Sequence, residues 1–248
     1  MLHISQSPDA GANFAVGEWL PQHDRQLSDV AERLMDGAGI EPALRPTGLY
    51  VIPARSVFCQ AGWGGFAHLG DGGVHICSWV ARAIIAPVGA GADTRGARAP
   101  AIFLHECGHV ALGKTLPPVP ARLLRVAPYF GAGGHDPAFA SVVATLYRRC
   151  GIETAVDAYD CGWASVGQRD WAGPDWALDW IVGFAQRHAP TPASVQRLAA
   201  AAIQEFDEQF FAREPAWWQW WLKSGNSSEA ARGWRRMRES LLARRWTP

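Results

Sequence analysis

The densest chemistry in the chain is the run His105-Glu106-Cys107-Gly108-His109. It fits the H-E-x-x-H pattern. Residues four apart on an α-helix share a face, so two imidazoles at this spacing can reach one ion. Zinc favours such nitrogen donors, at about 2.0–2.1 Å. Glu106 would then act as general base, taking a proton from a zinc-activated water and returning it to the leaving group. With eight His and ten Glu in 248 residues, chance alone yields this pattern roughly once in a hundred such chains. The flanks add to it. Ala101-Ile102-Phe103-Leu104 precede the motif and Val110-Ala111-Leu112 follow it, so the helix is expected to be buried. Buried His and Glu without partners are costly, and a metal ion accounts for all three. The plain alternative is a pair of satisfied core histidines.

Catalytic zinc sites usually carry three protein ligands and a water. Position 115 is Thr, which excludes a third His six residues beyond His109. The best candidate is His135, in Gly-Gly-His-Asp-Pro-Ala-Phe. It stands directly before a helix that Asp136 can cap and Pro137 can open. Acidic rivals are Glu153 and Asp157, which form E-x-x-x-D after the same helix, and less so Asp136, for which capping is a sufficient role; Asp157 or Asp160 could equally be ordinary helix-surface acids. Tyr129 is a possible oxyanion stabiliser. Cys107 reads as a small buried residue, since a nucleophilic Cys needs an electropositive setting.

The elements that must position these residues differ along the chain. Residues 1–21 look irregular. His23 to Ala38 carries Leu27, Val30, Leu34 and Met35 at helical spacing and ends at Gly37 or Gly39. Between Leu49 and Val88, the pieces LYVIPA, GGFAHL, VHICSWV and AIIAPV alternate with Gly-rich turns. This predicts three or four strands of a small sheet with hairpins. His68 and His75 read as ordinary strand residues. A loop over 89–99 leads to Pro100, expected to open the motif helix that Gly113 closes. Further helices are predicted from Asp136-Pro137 to Gly151, over 174–189, over 191–213, and roughly over 215–223 and 228–245. The fold class is therefore α+β. The expected divisions are an N-terminal helical extension (1–44), a catalytic domain (45–155) and a helical, Trp-rich C-terminal region (156–248).

H-E-x-x-H followed after some 25 residues by Gly134-His135-Asp136-Pro137-Ala138-Phe139 resembles the SprT-like metallopeptidases. It is also similar to small metallopeptidases of phages and actinobacteria that carry the same two blocks. The resemblance covers about residues 45–155. It implies a zincin-like core, a small and mostly antiparallel sheet packed on the motif helix. It further implies Zn2+ as cofactor, His105, His109 and His135 as ligands, Glu106 as base, and Phe139 as a packing residue. Asp136 departs from the Gly common in the family after this His. The Cys-rich zinc ribbon that often follows such cores is not apparent. An edge strand beside the metal would bind an extended protein or peptide substrate by β-augmentation, and 64–70 or 74–80 could serve.

Composition bounds the rest. The net charge is zero and charged residues are 19%, so no global signal points to nucleic acid or membrane. MLHISQSPDAGANF does not read as a signal peptide, no apolar run approaches a bilayer span, and a cytoplasmic protein is expected. The five Cys are scattered and odd in number, which suggests reduced thiols. The last ninety or so residues hold ten of thirteen Trp, with Trp217, Trp218, Trp220 and Trp221 clustered. From Lys223 to Pro248 there are seven basic and two acidic residues. Arg with Trp suits single-stranded nucleic acid, although a helical core or lid with a solvated basic face is the commoner outcome. Two further readings stay open: a catalytically silent zincin scaffold that binds a protein or DNA partner, and a zinc hydrolase acting on a non-peptide bond.

Overall fold

The computed structural model describes residues 2–7, 13–62, 64–86, 94–115, 137–152 and 175–213. The chain divides into two units. One comprises Met1–Lys114 with Leu146–Thr154, and the other Thr115–Thr145 with Ala155–Pro248. The class is α+β.

The first unit is built on four strands: β1 (Ile4–Gln6), β2 (Leu49–Ile52), β3 (Gly65–His68) and β4 (Gly73–Cys77). Their order is β1-β2-β4-β3. The β1–β2 and β2–β4 pairings are parallel and only β3–β4 is antiparallel, so the sheet is mixed rather than mostly antiparallel. β4 is buried along its whole length and β2 nearly so, as central parallel strands are. Leu49, Val51, Val74 and Ile76 share one face and are at most 1% exposed. On the other face Tyr50, His75 and Phe66 stand in register, with His75 stacked between the two rings at 4.7 and 4.4 Å.

Helix α1 (Pro21–Ala38) begins with Pro at its first position and ends at Gly39, whose φ of 74° is left-handed. It packs on β1 and on α3 (Ser78–Ile85). The N-terminal 44 residues are thus part of this unit, with β1 paired to β2. A three-residue strand with no visible period was illegible in 1–21. A short helix, α2 (Val57–Gln60), is capped by Ser56.

Two expected strands are corrected. VHICSWV is a strand only to Cys77, and from Ser78 the chain is helical through Ile85, the first half of AIIAPV. A short apolar run fits a buried helix as well as a strand. The motif helix α4 (Thr94–Thr115) starts six residues before Pro100. Proline there forgoes the bond to the carbonyl of Gly96, and the turn before it still forms.

The thiols are also corrected. Cys59 and Cys77 form a disulfide, while Cys107 and Cys150 are free and Cys161 lies outside the described residues. α2 sets Cys59 against the end of β4, with the two Cα atoms 5.9 Å apart. Such proximity has no mark in a spacing of 18 residues.

Helix α5 (Pro137–Arg149) contributes to both units. At its end Gly151 has φ 67°, the stop expected there. Arg149 donates to the Ala38 carbonyl at the end of α1 (3.0 Å). In the second unit, α6 (Asp175–His188) and α7 (Val195–Arg213) pack together. Their core joins Ala140, Ala144, Ala177, Ile181, Ala185 and Phe206, with Trp176 and Trp180 packed on it. These two tryptophans serve a helical core. The clustered tryptophans at 217–221 and the basic run beyond them lie outside the described residues. No described helix is long and apolar enough to cross a membrane.

Candidate metal centre

From Ala101 to Leu112 every residue of α4 except Ile102 and His109 is buried. A helix apolar on most sides must be enclosed on most sides, and Phe103, Leu104, Val110 and Ala111 are each at most 1% exposed. The polar residues of the motif are carried inside with them. His105 is 6% and Glu106 8% exposed, and His109 is half-buried.

The helical spacing brings the two imidazoles together. Their Nε2 atoms lie 3.2 Å apart, with ring centroids at 4.9 Å and planes at 74°. Two nitrogens bound to one tetrahedral zinc at about 2.05 Å would stand about 3.3 Å apart. The separation therefore suits a shared ion. It also suits an N–H···N bond between neutral rings, and metal binding distinguishes the two.

α4 runs beside the β3 hairpin in the same sense. A Cβ placed on Gly64 would meet Ile102, and one on Gly65 would meet Glu106. One on Gly113 would meet Leu69, and one on Gly72 would meet Lys114. Eleven helical steps from Ile102 to Gly113 span roughly 16 Å. Five extended steps from Gly64 to Leu69 span about the same distance, so the contacts stay in phase. β3 is an edge strand. Among the described residues β4 is its only strand neighbour. Of the two segments expected to offer an edge, 64–70 does so, whereas β4 lies inside the sheet.

No match to this chain is found among protein-family models, curated proteins or solved structures.

His135 lies outside the described residues, as do Asp136, Glu153, Asp157, Asp160 and Tyr129. Among the described residues no group of three His, Cys, Asp or Glu is placed to hold a metal ion. Of the three expected ligands, the described residues bring His105 and His109 together. The strand histidines have other roles. His75 is buried, its Nδ1 2.7 Å from Ser7 Oγ, and exposed His68 pairs with Asp71 at 3.1 Å. Cys107 is fully buried, and burial, with Glu106 beside it, pushes its thiol well above the usual range. Burial likewise raises Cys150 to about 11. Neither thiol is suited to nucleophilic attack. The glycines facing α4 were missed from sequence, where Gly-Trp-Gly-Gly reads as a turn. Gly62 does have φ 89°, but Gly65 opens the strand that meets Glu106.

Proposed function

We propose that this protein is a zinc-dependent metallopeptidase with a zincin-like core. The observation that carries the reading is the convergence of His105 and His109 Nε2 at 3.2 Å on a buried helix, with Glu106 between them and facing an edge strand. His105 and His109 would hold the ion, and the resemblance assigns the third position to His135. Bound zinc supplies Lewis acidity toward water and the scissile carbonyl. Glu106 removes the proton of the attacking water and delivers it to the departing amine nitrogen. Among the described residues β3 has no strand neighbour on the side away from β4, which suits an extended peptide as substrate. The buried flank of α4 limits water around the carboxylate, which strengthens its electrostatic interactions.

The experiment is hydrolysis of fluorescein-labelled casein by the native protein and by Glu106→Gln. The variant should keep its zinc and lose hydrolysis. A zinc-loaded Glu106→Gln protein with native activity would sink this mechanism. The cytoplasmic expectation loses support from the thiols, because the Cys59–Cys77 disulfide is a bond that persists chiefly in oxidising compartments.

A further inference from the structure

We infer that Gly65 is a positioning residue for Glu106, the point at which the absence of a side chain lets the edge strand touch the general base. The inference rests on the metallopeptidase reading for its catalytic meaning, though not for its geometry. A Cβ on Gly65 would lie 2.8 Å from the His75 carbonyl oxygen, 3.2 Å from Ile76 Cγ2 and 3.3 Å from Glu106 Cγ. Gly65 is not among the glycines with positive φ, so backbone conformation does not demand glycine here. Close approach does.

Its neighbours sharpen the point. A Cβ on Gly64 would meet Ile102 at Cδ1 (2.8 Å), Cγ2 (3.0 Å) and Cγ1 (3.5 Å), all side-chain atoms of one residue. At Gly65 the nearest atom is instead the His75 carbonyl oxygen, part of the interior strand β4. Ala67, two residues on and on the same face, already carries a Cβ. The demand for glycine on that face is therefore confined to the place where Glu106 crosses the strand.

A Cβ at 65 wedges between β4 and the Glu106 side chain. Among the described strands β3 has one neighbour and β4 has two, so the wedge displaces β3 more readily than β4. A peptide paired on β3 would move with it, away from the carboxylate. A misplacement of about 1 Å can cost about 100-fold in rate.

The test compares native protein, Gly65→Ala, Glu106→Ala and the double variant Gly65→Ala/Glu106→Ala. Zinc content, kcat and KM on labelled casein, and Tm are measured for each. Gly65→Ala should keep its zinc, lose 10- to 100-fold in kcat and hold KM within threefold. The Tm lost through Gly65→Ala should shrink by a third or more in the Glu106→Ala background, because the Cγ that the new methyl meets is gone. A kcat within twofold of native for Gly65→Ala, or Tm losses that simply add, would overturn the inference. If Gly65→Ala alone does not fold, folding regained in the double variant supports the contact with Glu106, and a double variant that still fails shows that the β4 carbonyl rather than Glu106 sets the demand for glycine, which overturns the inference. If the native protein neither binds zinc nor hydrolyses casein, the functional reading falls. The Tm cycle still decides whether Gly65 holds Glu106.

Discussion

Among the described residues two clusters of His and Glu stand out, one in each unit. On α4, His105, Glu106 and His109 are drawn into the interior, and two ring nitrogens of one helix face converge. Between α6 and α7, Arg187 and His188 meet Glu205 at 2.6 and 3.1 Å. Those side chains stay partly in water, at 55%, 25% and 34% exposure. The surface trio places opposite charges together across two helices, an arrangement that stabilises modestly and needs no ligand. The α4 trio sits where burial of polar groups is costly. The same residue types thus join two helices in one place and in the other, on the proposed function, hold a metal ion that offsets the cost of their burial.

The comparison can be broken most forcefully by swapping the two carboxylates for amides. Glu106→Gln is expected to lower casein hydrolysis by about 100- to 10,000-fold, the usual contribution of a general base. Glu205→Gln should leave it within twofold. Comparable losses from both would erase the distinction between site and surface. Next in size is the disulfide of the first unit. The loop closed by Cys59 and Cys77 contains all of β3. A cross-link over such a loop contributes about 3 kcal/mol, which reductant, or paired Cys59→Ser and Cys77→Ser changes, should remove in denaturant melts. The second unit contains none among its described residues, and reductant should leave its helical contacts unaffected.

Glu18 offers a smaller, pH-dependent test. Burial alone would raise its pKa, but Ser78 and the backbone N–H groups of Ala54 and Ala15 donate to the carboxylate, and Arg82 adds positive charge. The net value is lowered from about 4.5. A lowered folded pKa means stability that is fully present above the unfolded value and is lost as pH falls through the folded one. Glu18→Gln should therefore cost about 1 kcal/mol at pH 7, in keeping with a partly exposed charged acceptor. The deficit should vanish in acid. A deficit that grew toward low pH would contradict these hydrogen bonds. Smallest is the surface trio itself. His188→Ala should change stability by less than about 1 kcal/mol, and a loss of several kcal/mol would show it to be more than a surface tie.

Much of this was legible in the sequence where one periodicity acts alone. The i, i+4 histidines, α1 ending at Gly37 or Gly39 (it is Gly39), and α6 and α7 follow from helical spacing and local stop signals. The buried setting of α4 follows from its apolar flanks. Mixed strand pairing was not legible, because β1 is three residues long and is held by its neighbour rather than by a pattern. The strand-to-helix change at Cys77-Ser78 was hidden in one apolar run. Cys59 and Cys77 are joined by tertiary proximity alone. Gly65 resembled a turn residue because a glycine chosen for close approach carries no local signature.

The central claim is that α4 carries a metal ligand pair. It is tested most directly by zinc per chain, from elemental analysis of native protein, His109→Ala and His135→Ala purified side by side. The account predicts one zinc in the native protein and its loss, in large part, from both variants. Full retention in His135→Ala would reject that residue as a ligand and direct attention to Glu153. A native protein that takes up no zinc even on reconstitution would contradict the account, and the 3.2 Å approach of the imidazoles would then be an ordinary hydrogen bond.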